Sequence, residues 1–162
     1  MTAVHRIEAS QLLPISLEEA WAFFADPRNL SRITPPDLDF RVTCGLPERI
    51  APGMIITYTL RPLLGLRVGW VTEITHVEPG VRFVDDQRAG PYLLWHHEHT
   101  FTAAPGGVEV RDVVHYALPF GPLGRLVHAL VVGARVRAIF AYRRRVLAER
   151  FGRPRELQGA AG

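Results

Sequence analysis

The sequence has a single cysteine, Cys44, no lysine and no long apolar run. One cysteine cannot close a disulfide within the chain, which excludes the small secreted domains that depend on disulfides and favours the cytoplasm. A membrane-spanning helix needs about 20 apolar residues in a row, and the opening MTAVHRIEAS carries charge where a signal peptide is apolar. Glycine-rich nucleotide-binding motifs, GxSxG and CxxC are also missing. We therefore expect a cytoplasmic protein with no cofactor and no stable membrane association.

Because lysine is absent, all 19 basic residues are arginine, and they give a formal net charge of +3. A basic chain can bind nucleic acid, so the distribution of the arginines matters more than their number. Eight of them lie between Arg135 and Arg155, on a predicted helix and the tail behind it. No aromatic residues accompany them on a strand, as they do in proteins that bind single strands. The pattern is typical of a solvated helix end, and we expect no nucleic-acid partner.

The chain contains enough apolar material for one core, since 48% of its 162 residues are hydrophobic. A chain of about 150 residues buries roughly 68–70% of its unfolded surface. Gly152 and Pro154 end the last helical pattern. We therefore expect one domain over residues 1–152 and a flexible tail over residues 153–162.

Hydrophobic periodicity predicts the order of the elements. A strand over residues 5–13 precedes a helix that starts with a capping box, Ser16 with Glu19. A short second helix starts at Asp26 and Pro27. Alternation then predicts six strands near 39–46, 53–61, 66–78, 81–88, 92–103 and 108–118, and a long helix over about 123–150. Short connections imply antiparallel hairpins, so we predict an α+β fold, β-α-α-β6-α, with a curved sheet wrapped around the C-terminal helix.

A sheet that curves around one helix can leave a ligand cavity between them. Pairing the last two strands across their turn places residue 103 beside residue 108. This register sets His99 opposite Asp112, His97 opposite Val114 and Trp95 opposite Tyr116. Pairing the strands predicted near 66–78 and 81–88 across the turn between them places residue 76 beside residue 83, with the His76 side chain on the inner face. The predicted inner wall mixes aromatic and polar side chains, namely Trp70, Phe83, Trp95, Phe101, Tyr116, Asp85, Gln87, His97, His99 and Asp112. Buried polar groups of this kind must be hydrogen-bonded or must line a wet cavity.

The inner face of the last helix is predicted from an apolar stripe at helical spacing. Its members are Leu126, Val127, Leu130, Ala134, Ala138 and Tyr142. The small side chains of Ala134 and Ala138 would leave room for a ligand.

Several runs of the chain resemble a known family. They are LSRITPP at 30–36, FVDDQ at 83–87, GPY at 90–92, WHHEHTF at 95–101, DVVHYALPFG at 112–121 and IFAYR at 139–143. Over about residues 4–150 the chain resembles a subgroup of the SRPBCC, or START/Bet v 1-like, superfamily, related to polyketide cyclase/dehydrase-like proteins. The resemblance implies a helix-grip fold with a deep hydrophobic pocket between the sheet and the C-terminal helix. Relatives in the wider superfamily include lipid and sterol carriers, polyketide cyclase/aromatases and plant hormone receptors.

His97 and His99 allow three interpretations. They could ligate zinc with Asp112 and Asp85, but an HxH pair alone is a weak signal and the resemblance implies no metal, so we expect none. His99 could act as a general base oriented by Asp112, with Tyr116 or Gln87 polarising a carbonyl. The third interpretation is a structural polar network that fixes strand register.

We predict that the protein binds a small hydrophobic molecule such as a lipid, an isoprenoid or quinone, or a polyketide, as a carrier or sensor. The alternative is a polyketide cyclase/aromatase-like enzyme that uses His99 and Asp112. The oligomeric state is left open. The predicted ligand-binding residues are Trp70, Thr72, Phe83, Asp85, Gln87, Trp95, His97, His99, Tyr116, Leu130, Ala134 and Ala138.

Overall fold

Strands of the computed structural model, which describes residues 3–62 and 65–153, form one antiparallel sheet. In chain order they are β1 His5–Leu13, β2 Arg41–Val42, β3 Met54–Leu60, β4 Val68–Glu78, β5 Arg82–Ala89, β6 Leu94–Ala104 and β7 Gly107–Ala117. Their spatial order is β1-β7-β6-β5-β4-β3-β2. Consecutive strands from β2 to β7 are therefore neighbours, and β1 closes the order by pairing with the last strand.

The helices flank this sheet in the predicted order. Helix α1, Leu17–Phe24, starts at Ser16, whose hydroxyl accepts a hydrogen bond from the amide of Glu19 at 3.1 Å. The predicted second helix is a 3₁₀ helix, Pro27–Ile33, and a shorter one follows at Pro36–Leu38. The C-terminal helix consists of α2 Gly121–Val127, a π-helical turn His128–Val132 and α3 Gly133–Phe151. The α+β helix-grip prediction is confirmed.

Two strand predictions need correction. The strand expected near 39–46 has only two residues. Asp39 before it adopts a left-handed conformation, and beyond it the amide of Thr57 in β3 donates to the Cys44 sulfur rather than to a backbone carbonyl. The register of β4 with β5 is correct where Ile74 faces Asp85, but an irregularity beyond Ile74 pairs His76 with Val84. This shift exposes His76 and turns Val77 toward the core.

The predicted register of β6 with β7 is confirmed at every pair that the sequence specified. His99 lies opposite Asp112, His97 opposite Val114, and Ala103 opposite Val108. The short turn between Ala104 and Gly107 fixes this register, so alternate residues of both strands face the helix.

The predicted inner face of the C-terminal helix is wrong. Leu130 is 71% exposed, and Ala134 and Ala138 are also exposed. The face that packs on the sheet instead carries Val132, Val136, Phe140, Arg143 and Leu147. A buried arginine makes this true inner face less apolar than the predicted one, which is why periodicity selected the wrong side.

No helix in the described part of the chain is both long and apolar enough to cross a membrane. The tail expected over 153–162 lies outside the described residues from 154 onward. The domain boundary near 152 therefore stays a prediction.

Candidate ligand-binding site

A cavity of about 210 Å³ lies between the inner face of the sheet and the C-terminal helix. Alternate residues of the four strands β3 to β6 form its sheet wall, since successive side chains of a strand point to opposite faces. The 3₁₀ segments and the helix close the other sides. The lining residues include Leu38, Tyr58, Trp70, Thr72, Phe83, Asp85, Tyr92, Trp95, His97, His99, Val132, Val136, Ile139, Phe140 and Arg143.

The wall formed by β3 and β4 presents apolar surface although it contains polar atoms. The Trp70 indole N–H donates to the Thr72 hydroxyl at 3.0 Å, and the Tyr58 hydroxyl lies 3.1 Å from the same oxygen. Burial raises the pKa of Tyr58, so its phenol stays neutral. Trp95 packs edge-on against Trp70, with 5.3 Å between the ring centroids. The polar atoms thus satisfy one another, and the aromatic rings are left to contact a ligand.

A cluster of ionisable side chains occupies another part of the cavity. His99 Nε2 lies 2.7 Å from Asp85 Oδ2, and His99 Nδ1 lies 2.9 Å from Asp112 Oδ1. The same Asp112 oxygen lies 3.0 Å from His97 Nε2 and 3.0 Å from Arg143 Nη2. Asp85, His97, His99 and Arg143 line the cavity, whereas Asp112 lies behind the two histidines. The predicted His99–Asp112 pair is therefore present, as part of a larger network.

Burial and charge together set the protonation of this network. Burial opposes the Asp112 anion, but the Arg143 guanidinium and hydrogen bonds from both histidines outweigh it, and the pKa of Asp112 lies well below its ordinary value. Burial also opposes a charge on His99, yet hydrogen bonds to Asp112 and Asp85 raise its pKa. For His97, burial and the neighbouring charge of His99 prevail, and the pKa is lowered. The two carboxylates thus lie against Arg143 and His99, and the opposite pKa shifts favour the charged form of His99 and the neutral form of His97.

Arg143 is the least satisfied member of the network. Its side chain packs over the ring of Phe24, with 5.2 Å from Cζ to the ring centroid. Within the described residues, Arg143 Nε is the one buried side-chain nitrogen or oxygen atom that has no hydrogen-bond partner. Native proteins leave few such atoms unpaired, and here the cavity wall contains one N–H donor, at Arg143 Nε, that has no acceptor.

Comparison with known proteins places this geometry in a structural class. No family model matches the sequence, and no curated protein matches it. Among solved structures, protein CV1439 from Chromobacterium violaceum is similar, with a TM-score of 0.68 and 14% identity over 91% of this chain and 96% of that one. Ara h 8.0201, a Bet v 1 homologue, has a TM-score of 0.59 and 18% identity over 91% of this chain and 99% of its own. The chain has the SRPBCC, or Bet v 1-like, fold.

A third similar structure carries the Bet v 1-like fold within a longer chain. It is the nucleoside-diphosphate sugar epimerase from Corynebacterium glutamicum, with a TM-score of 0.61 and 23% identity over 88% of this chain and 28% of that one. Identities this low establish the fold alone. The subgroup suggested by the sequence runs therefore stays a prediction.

The Bet v 1-like fold brings together most of the predicted ligand-binding residues on the sheet. Those that line the cavity are Trp70, Thr72, Phe83, Asp85, Trp95, His97 and His99. Leu130, Ala134 and Ala138 do not, because they lie on the solvent side of the helix.

Gln87 and Tyr116 are also absent from the cavity lining. The Gln87 amide donates to the carbonyl of Tyr92 at 2.7 Å and so holds the turn before β6. A Cβ at Gly90 would lie 2.5 Å from the amide oxygen of Gln87, so a larger residue there would displace the side chain that holds this turn. The Tyr116 hydroxyl instead lies 2.8 Å from Nε2 of His128 in the π-helical turn. Both side chains support the site from outside it.

Among the residues of this Bet v 1-like cavity that sequence reasoning missed, two show why it missed them. The first is Arg143, which we had assigned to a solvated helix end. Its spacing from Val136, Phe140 and Leu147 matches one helical face, and this was the signal that could have placed it inward. The second is Leu38, a buried residue of the short 3₁₀ helix, which no periodic pattern marks.

Proposed function

We propose that the protein binds a small, mostly hydrophobic molecule that carries one polar group, as a cytoplasmic carrier or sensor. The observation that carries the proposal is an apolar, aromatic-walled cavity with a cluster of ionisable groups on one side of it. Pockets that hold small molecules have this composition, with a few polar groups that fix orientation. The Bet v 1-like fold of the neighbours is consistent with membership of a ligand-binding superfamily.

The cavity volume and the charges narrow the chemistry of this ligand. At about 210 Å³ the cavity is smaller than the roughly 300–1,000 Å³ of typical small-molecule sites, which favours a compact ring system over a long-chain lipid. The two carboxylates already have partners in Arg143 and in His99, whose raised pKa favours its charged form, so the ligand does not have to bring a charge. A hydroxyl, phenol or carbonyl group suits such a site, and a small polyketide or a quinone head group has one.

Binding is favoured over the alternative, a cyclase/aromatase-like reaction with His99 as general base. A general base needs a free lone pair within reach of the substrate. Both ring nitrogens of His99 are occupied by carboxylates, at 2.7 Å and 2.9 Å. Asp112, its expected partner in catalysis, lies outside the cavity lining. The geometry is that of a pre-organised wall.

The proposal is tested with two neighbouring substitutions on the helix. Ile139 lines the cavity and the adjacent Ala138 is exposed, so Ile139→Trp fills the cavity while Ala138→Trp adds the same ring outside it. Molecules that co-purify are extracted with organic solvent and identified by mass spectrometry. Naphthol, menadione and decanol are then titrated by calorimetry into each protein after treatment with a chelator.

We expect the wild type and Ala138→Trp to retain a hydrophobic molecule or to bind at least one of these probes, and Ile139→Trp to have lost this binding while remaining folded. If the wild type neither retains a molecule nor binds a probe, the proposal is wrong. Equal binding by Ile139→Trp would also overturn it, because the ligand would then occupy another place.

A further inference from the structure

Three potential ligand atoms for a metal converge at the polar side of the cavity. Asp85 Oδ2 lies 2.7 Å from His99 Nε2 and 3.5 Å from His97 Nδ1. One donor atom from each of the three residues lies within 4.8 Å of the other two, which is close enough for the three residues to share one small cation. The three side chains line the cavity, so a cation held there would be open to a bound molecule.

The other ring nitrogens of both histidines are held from behind by one carboxylate. His97 Nε2 and His99 Nδ1 lie 3.0 Å and 2.9 Å from Asp112 Oδ1. Histidines that bind metals almost always donate their second N–H to a carboxylate or carbonyl, which fixes the tautomer and the ring orientation. When both rings donate to Asp112, His97 Nδ1 and His99 Nε2 are the nitrogens on the side of Asp85. A metal ion bound there replaces the proton that His99 Nε2 shares with Asp85 in the metal-free protein, because a histidine must be neutral to act as a ligand.

The Arg143 guanidinium does not occupy the space between Asp85 and the two histidines. Its Nη2 lies 3.0 Å from Asp112 Oδ1 and 3.4 Å from His99 Nδ1, the nitrogen that faces away from Asp85. The guanidinium therefore compensates the charge of Asp112 behind the histidines. The carboxylate of Asp85 can therefore compensate the charge of a cation bound between Asp85 and the two histidines.

We propose that Asp85, His97 and His99 bind a divalent transition-metal ion of the zinc type, with open coordination positions that face the cavity. Two imidazoles and one carboxylate are a ligand set that zinc takes when a further position is kept for water or a ligand. An oxygen of the molecule in the cavity would occupy that position. The site revises our sequence-based expectation of no metal, and it does not depend on which hydrophobic molecule binds.

The test uses the metal alone, on chelator-treated protein without a histidine tag. Co²⁺ is titrated and its visible absorption recorded, and Zn²⁺ is then added to displace it. Asp85→Asn removes the anionic ligand with little change of shape. Its matched control is Asp86→Asn, because the neighbouring Asp86 forms the same kind of contact, 2.7 Å from Nδ1 of His96, on the outer face.

We expect one equivalent of Co²⁺ to bind to the wild type and to Asp86→Asn with similar affinity. Asp85→Asn should bind at least about 10-fold more weakly, in line with the 10–100-fold losses seen when even the supporting partners of metal ligands are changed. If the wild type binds no Co²⁺, or if Asp85→Asn binds it as tightly as the wild type, the proposal is refuted.

A measurement on the wild type covers the case in which Asp85→Asn does not fold. The ring ¹⁵N signals of His97 and His99 should shift on addition of Zn²⁺, while those of His96 should not. Shifts confined to other histidines would refute the site. Loss of the metal proposal leaves the hydrophobic-ligand proposal standing, since the probes of that experiment are added to metal-free protein.

Discussion

Removing the Arg143 side chain should destabilise the protein through the charge that it leaves behind. Arg143 and Asp112 are 7% and 6% exposed and their charged atoms are 3.0 Å apart. Breaking a buried ion pair by deleting one partner costs about 3–5 kcal/mol. Arg143→Met also removes the unpartnered Nε, and burying such an atom costs about 1–3 kcal/mol. We therefore expect a net loss of about 2 kcal/mol in the free energy of unfolding, or roughly 4–8 °C in Tm for a chain of this size.

Urea unfolding of the chelator-treated protein at neutral pH measures this loss. Arg144→Met is the control, since Arg144 is the next residue and is exposed, and a surface change of this kind stays within about 0.5 kcal/mol. The double variant Arg143→Met/Asp112→Asn should be more stable than Arg143→Met alone, because it removes the uncompensated anion. The reasoning fails if Arg143→Met costs no more than Arg144→Met, or if the double variant is the less stable of the two.

Two further predictions concern acid unfolding and the corrected helix face. The pKa of Asp112 in the folded protein lies well below the ordinary 3.8, so its contribution to stability is complete above about pH 3.8 and is lost as the pH falls toward the folded value. The stability difference between metal-free wild type and Asp112→Asn should accordingly narrow below that pH in urea titrations, and a constant difference would contradict the assignment. Leu147→Ala should cost about 2–5 kcal/mol because Leu147 is 2% exposed. Leu130→Ala should change the stability by less than about 0.5 kcal/mol; similar losses in both variants would show that the helix packs differently.

The sequence predicted those parts of the site that depend on strand alternation and short turns. His97, His99 and Trp95 were placed together because the turn between Ala104 and Gly107 leaves one register that buries the apolar set. The same reasoning was wrong at His76, since the irregularity between Ile74 and His76 shifts the β4–β5 register by one residue. Such an irregularity leaves the hydrophobic pattern almost unchanged, so periodicity does not reveal it.

The helix side of the cavity was assigned wrongly, although the apolar residues beside Arg143 on its inner face carried a periodic signal. Its inner face contains Arg143, whose burial depends on Asp112 in a distant strand. An analysis of helical periodicity treats every arginine as a solvent-facing residue, because the pattern contains no information on a partner in another element. The pairing of His99 with Asp85 was likewise missed, although β5 and β6 are adjacent, because Asp85 is directly opposite His97 and only diagonal to His99.

The pairing of β1 with β7 also bears on how the protein forms during synthesis. Ala9 in the first strand lies beside Asp112 in the last one, so β1 emerges from the ribosome long before its partner exists. At about 5–20 residues per second, the hairpins from β2 to β7 can form as they appear, but β1 and the network behind the cavity must wait. Arg143, the counter-charge of Asp112, is translated later still. We therefore expect the site to be assembled among the last parts of the molecule, so that a ligand or metal ion can stabilise the finished fold without guiding the nascent chain toward it.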